Sequence, residues 1–117
     1  SIASDFATIQ ELADERRIRV VFTRCNPAAG DPPGCYDVEF IPLCCGKDQA
    51  VSFLMEETGL PKEAIIAFGD SANDFAMFAQ AGSGYLVGNA DPFAVSQYGN
   101  RLDSAYCHGI LSVLKEL

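Results

Sequence analysis

Basic residues are scarce in this chain. Eight Lys and Arg stand against 16 Asp and Glu in 117 residues, a formal charge of −8. Nucleic acid and anionic membrane both demand a basic footprint, so neither is expected as a partner. A local phosphate site is not excluded, because a single lysine or a metal ion can supply the positive charge. Apolar runs of membrane-spanning length are also missing, and no basic-then-apolar leader opens the sequence at Ser1. A cytoplasmic protein is the expectation, and the start at Ser1 rather than Met raises processing or truncation.

No CxxC spacing occurs among the 5 cysteines, Cys25, Cys35, Cys44, Cys45 and Cys107. That argues against a zinc cluster, and the odd count argues against a secreted disulfide scaffold. Cys25 and Cys35 bracket one loop and could meet, but reduced, partly buried thiols are expected. A bridge between the adjacent Cys44 and Cys45 would be strained, so a redox pair is disfavoured. They read instead as two buried small side chains at a domain junction. His108 is the only histidine and reads as a surface residue in a loop. Tyr85, Tyr98 and Tyr106 read as core-edge residues.

What is present is a 49% hydrophobic composition, enough for a packed core. Ile2, Phe6, Ile9 and Ala13 recur at helical steps, predicting a helix over 5–16 with Ser4 as N-cap. "RIRVVF" predicts a strand, and the Pro- and Gly-rich "CNPAAGDPPGC" a loop. In "YDVEFI", Tyr36, Val38 and Phe40 alternate with Asp37 and Glu39, a strand with one wet face that Pro42 ends. A second helix is predicted over 46–58, with Ala50, Val51, Leu54 and Met55 on its apolar side and Gly59 as its stop. "AIIAF" predicts a strand buried on both faces. A helix from about Asn73 should bury Phe75, Phe78 and Ala79 and end at Gly82. A short strand at "YLV", a helix opening on Pro92 and a closing helix over "GILSVLKEL" complete the chain. This helix–strand rhythm is that of a parallel α/β sheet wrapped by helices.

The segment "GDSAND" follows the apolar strand and opens a helix, so Asp70 should emerge at the carboxyl edge of the sheet, where ligands collect. Gly69 permits the turn and a close backbone approach. An outward carboxylate suits a hard cation, and Mg²⁺ takes only one or two protein carboxylates. Asn73 and Asp74 lie within reach of the same point. Simple helix capping by Asp70, Ser71, Asn73 and Asp74 is the competing reading. Crowding of four polar groups behind an apolar strand favours a ligand. Lys47 stands at the start of the preceding helix, where a cation opposes the helix dipole. A solvated surface lysine is the bland reading, and a cation pointing into the same cleft is the functional one.

"GKDQAV", then "IIAFGDSANDFAMF", then "YLVGNA" together resemble the C-terminal half of a haloacid dehalogenase superfamily phosphatase. The closest likeness is to the Cof-like and sucrose-phosphatase-like branch with a C2-type cap. In that family a lysine forms the third motif and GDxxND the fourth, which correspond here to Lys47 and to the segment from Asp70 to Asp74. "DSAYCHGILSVL" resembles the closing segment, with His108 where an acidic residue is common. The resemblance implies a Rossmann-like parallel sheet with helices on both faces. Residues 1–41 would be the C-terminal part of the cap and 42–117 the C-terminal half of the core.

The family's first motif, DxDxT after the first strand, has no counterpart. Asp5, Asp14, Asp31 and Asp37 are the only aspartates before Lys47, and none follows an apolar strand in a D-x-D pattern. The resemblance therefore implies a Mg²⁺-dependent phosphatase acting on a small phosphomonoester, such as a sugar phosphate, through an aspartyl-phosphate on an aspartate outside this chain. Asp70 would hold the metal. Lys47 and Asp74 would serve catalysis, and Lys47, Asn73 and Ser71 would bind substrate. The chain alone is expected to be inactive and to associate with itself or with the missing amino-terminal half. The rival expectation is a non-catalytic α/β module that binds phosphate or a partner.

Overall fold

The computed structural model describes residues 1–117, which divide into two compact units, Ser1–Gly46 and Lys47–Leu117. In the first unit, helix α1 (Ile2–Glu15) leads into strands β1 (Ile18–Arg24) and β2 (Tyr36–Pro42). The two strands pair antiparallel from Ile18 opposite Pro42 to Arg24 opposite Tyr36. The helix begins earlier than its apolar spacing suggests. Ser1 is the N-cap and Ser4 the third helical residue, and the two serines bond reciprocally, with the Ser4 N–H donating to Ser1 Oγ at 3.3 Å. Such a capping box satisfies orphan donors that a cap at Ser4 would leave open.

Helix α1 packs chiefly on β1. Phe6 stacks on Phe22 with ring centroids 4.3 Å apart and meets Tyr36 edge-on at 4.9 Å. β2 is the outer strand, so the dry face expected for it is incomplete, and Phe40 is 60% exposed. Between the strands, Pro27–Ala29 form a single 3₁₀ turn capped by Asn26, whose Oδ1 accepts from the Ala28 N–H at 3.0 Å. Cys44 and Cys45, expected to be buried, are exposed.

The second unit starts with α2 (Lys47–Thr58). Gly59 ends it at φ 69° and donates its N–H to the Met55 carbonyl at 2.9 Å, the left-handed stop expected of glycine. Strands β3 (Ile66–Gly69) and β4 (Ser83–Leu86) pair in parallel, with α3 (Phe75–Gln80) as the crossover. Leu86 extends the sheet further. Its N–H donates to the Asn100 carbonyl and its carbonyl accepts from Leu102, forming a parallel bridge. Helices α4 (Pro92–Gln97) and α5 (Tyr106–Lys115) complete the unit. The result is the α/β architecture with a parallel sheet that the sequence rhythm predicts.

Ala67, Phe78, Ala81, Leu86, Ala90 and Ala94 form the core of this unit, with Phe75 and Tyr98 packed against it. Small residues dominate because the crossover lies close on the strands. A Cβ on Gly84 would sit 2.6 Å from Phe78 Cβ, so glycine there is what admits the Phe78 ring. Tyr98 closes over the same ring at 4.9 Å and donates its hydroxyl to the Gly84 carbonyl at 3.1 Å.

Several single-residue expectations differ. Strand β3 is not buried on both faces along its whole length, since only Ala67 in it is fully covered. Ala79 is exposed, and so is Leu54 at 56%, because α3 covers only part of the apolar side of α2. His108 is exposed as expected but lies inside α5, which begins three residues earlier than "GIL". Tyr106 is no core-edge residue; it is 71% exposed at the first position of that helix. No helix is long and apolar enough to cross a membrane.

Candidate active site

Strand β3 delivers Gly69 and Asp70 to the carboxyl end of the parallel pair. There Ser71 leads into a 3₁₀ turn over Ala72–Asp74 before α3 begins. That turn folds Asp74 back beneath the end of β3. The position of Gly69 explains why no larger residue stands there, since an added Cβ would lie 2.5 Å from Asp74 Cγ. The glycine is required for the space it leaves, more than for an unusual backbone angle.

Asp74 is only 2% exposed, the single buried charged residue in the chain. Its Oδ2 accepts from the backbone N–H of Asp70 at 2.9 Å and of Ser71 at 3.2 Å. Its Oδ1 accepts from Lys47 Nζ. A carboxylate taken out of water must be paired and hydrogen-bonded, and these three donors meet that need. Asp74 thus ties the first residue of α2 to the loop after β3. Lys47 remains half in solvent, its side chain 52% exposed. A lysine at a helix N-terminus is electrostatically misplaced, and the buried carboxylate offsets the mismatch.

Asn73 lies beside the pair. Its Oδ1 accepts from Ser71 Oγ at 2.5 Å, and Lys47 Nζ approaches the same oxygen at 3.4 Å. This turns the amide oxygen toward the lysine and the serine hydroxyl toward that oxygen. Asp70 behaves differently. Its backbone is fixed at both ends, the carbonyl accepting from the Asp91 N–H at 2.8 Å. Its side chain is exposed and engages no other group of the protein.

Lys47, Asp70 and Asp74 line one open depression of about 280 Å³, with Phe68, Gly69, Val87 and Ile110 forming the rest of the wall. Phe68, Val87 and Ile110 carry no polar signature in the sequence. Val87 was detectable by position, since it follows β4 at the same sheet edge as Asp70. The donor set fits Mg²⁺ as a partial shell. One outward carboxylate, Asp70, is unengaged, and no group of three or more His, Cys, Asp or Glu side chains converges. Mg²⁺ is commonly held this way, with waters and substrate phosphate completing the octahedron. The remaining polar groups, Lys47 and Asn73, suit an anion.

A family model described as haloacid dehalogenase-like hydrolase matches residues 7–114. Kanosamine-6-phosphate phosphatase of Bacillus subtilis is 44% identical over 109 residues, covering 93% of this chain and 39% of that protein. An uncharacterised hydrolase of Staphylococcus aureus is 36% identical over 104 residues, covering 89% of this chain and 38% of its own length. Among solved structures, a haloacid dehalogenase-like hydrolase from Bacillus subtilis superposes with a TM-score of 0.73 at 42% identity, over 98% of this chain and 40% of that one. The sucrose-phosphatase of Synechocystis, solved with sucrose and phosphate, gives the same TM-score at 21% identity, over 97% of this chain and 46% of that one, a likeness of fold. The chain therefore spans about two fifths of the length of the curated relatives it matches.

Proposed function

Because this chain belongs to the haloacid dehalogenase-like hydrolases, we propose that it carries the electrophilic half of a phosphatase active site. The intact protein then hydrolyses a small phosphomonoester. A sugar phosphate is the favoured class, by analogy with the amino-sugar phosphate named for the Bacillus subtilis relative. The observation that carries this reading is the juxtaposition of a buried, hydrogen-bonded Asp74, its partner Lys47 and the unengaged Asp70 around one depression.

Each residue has a task that follows from its surroundings. Asp74 is buried and its two oxygens already take three donors, so it acts by position. It holds the Lys47 ammonium at the rim and fixes the Asp70 and Ser71 amides. Lys47, held at one end and open at the other, offers its remaining N–H donors to a phosphoryl oxygen, where charge stabilisation is worth most. Asn73 and Ser71 stand beside Lys47, outside the walls of the depression, and would bind the same anion at its edge. Asp70, rigid in its backbone and free in its side chain, would hold Mg²⁺. Bound there, the ion supplies charge neutralisation at the phosphoryl oxygens.

The nucleophile lies elsewhere in this reading. An aspartate on a preceding segment attacks phosphorus and forms an aspartyl-phosphate, which water then cleaves. Under the same proposal, residues 1–41 are the end of a cap and residues 42–117 the end of the catalytic core. The test is Asp70→Asn in the full-length protein. Turnover should fall strongly and the Mg²⁺ concentration for half-maximal rate should rise. Full activity at low Mg²⁺ would remove Asp70 from the metal site, and binding of phosphate without any turnover in the unmodified protein would favour a non-catalytic module.

A further inference from the structure

Outside the site, the arrangement that carries most is at the loop end of the β1–β2 hairpin. The antiparallel register runs to Arg24 opposite Tyr36. One step further, Cys25 lies opposite Cys35, and the Cys25 N–H donates to the Cys35 carbonyl at 3.0 Å. Directly opposed residues share one face of a sheet, with Cα atoms about 4.5–5.5 Å apart. A disulfide needs roughly 4.4–6.8 Å. Both thiols are free and half-buried, whereas Cys44, Cys45 and Cys107 are exposed. In the loop between them, Pro27, Pro32 and Pro33 restrict the backbone, and Gly30 and Gly34 make its turns at φ 100° and 77°. The pair is thus held together by the fold and not merely by a short tether.

We propose that Cys25 and Cys35 are a thiol–disulfide exchange site that reacts with low-molecular-weight disulfides and closes a bond across residues 26–34. One protein thiolate attacks the small disulfide, giving a mixed disulfide and releasing one small thiol. The second protein thiolate attacks the protein sulfur of that mixed disulfide, forming the Cys25–Cys35 bond and releasing the other small thiol. Two protein thiols are oxidised, one small disulfide is reduced, and the two protons pass from the protein thiols through solvent to the released thiolates. The Cys25 thiol is pushed up from its usual range, first by burial and then by the Asp37 and Asp31 carboxylates. Exchange should accordingly quicken as pH rises, since the thiolate is the nucleophile. The pairing is independent of the chemistry at Lys47 and Asp70.

The experiment uses the full chain carrying Cys44→Ser, Cys45→Ser and Cys107→Ser, equilibrated in buffers of glutathione and glutathione disulfide. Samples are quenched, alkylated and mapped by non-reducing peptide mass spectrometry, once in buffer and once in concentrated urea. Amide exchange of the β1–β2 ladder verifies that the hairpin is folded in buffer. An intramolecular Cys25–Cys35 cross-link should form, and the glutathione ratio at its midpoint should be at least about tenfold more reducing in buffer than in urea. In the unmodified chain the same cross-link should precede any bond to Cys44, Cys45 or Cys107. Glutathione adducts without ring closure, a bond between chains, or equal midpoints in buffer and urea would each overturn the proposal.

Discussion

Replacing Asp74 with Asn keeps the shape of the side chain and removes its charge, which isolates what that charge holds together. The amide has one oxygen where the carboxylate has two. If that oxygen stays on the Asp70 and Ser71 amides, the new NH₂ faces the Lys47 ammonium and the lysine swings to solvent. Lys47 is half-exposed, so losing the pair costs no more than about 1 kcal/mol, the range of solvent-accessible ion pairs. The two backbone bonds change from charged to neutral acceptors, at about 1 kcal/mol each. The sum is about 2–3 kcal/mol, a 30- to 150-fold increase in local opening at roughly 1.4 kcal/mol per factor of ten. Amide exchange at Asp70 and Ser71, read by NMR, reports that opening directly. Protection at both amides unchanged within about threefold (about 0.6 kcal/mol) would refute the assignment of Asp74 as the clamp on this loop.

Two further outcomes follow from the same geometry. Lys47→Arg in the full-length protein should lose nearly as much phosphatase activity as Lys47→Ala, because a planar fork cannot replace a compact ammonium against Asp74 Oδ1; recovery of most of the rate would reduce Lys47 to bulk charge. Gly84→Ala puts a methyl 2.6 Å from Phe78 Cβ and should lower stability by about 1–3 kcal/mol, seen as a lower urea midpoint.

The parts of this architecture readable from sequence are those set by neighbours along the chain. Gly59 ends α2, Pro92 opens α4, and "GDSAND" sits between strand and helix because turn and cap chemistry is local. Lys47 was visible because a cation at a helix start is locally wrong. Exposure was less legible, since it depends on what arrives from elsewhere. Phe40 and Leu54 have the right spacing for a covered face, but nothing in this chain fully covers them. Ser1 and Ser4 are chemically equivalent caps, and only the reciprocal bonding of the box distinguishes them. Gly69 reads as a turn residue, yet its close neighbour is Asp74, a contact fixed by the fold of the 3₁₀ turn. The apolar wall of Phe68, Val87 and Ile110 left no compositional trace, because an aliphatic residue lining a site is indistinguishable in sequence from one in the core.

The central claim is that these residues hold the charge-stabilising half of a phosphatase site and lack its nucleophile. The direct measurement is p-nitrophenyl phosphate hydrolysis with Mg²⁺ by the 117-residue chain, alone and mixed with a separately expressed amino-terminal half. The account predicts no turnover by the chain alone, and Asp70-dependent turnover once the other half is added. Turnover by the chain alone, abolished by Asp70→Ala, would contradict it and place a nucleophile within these residues.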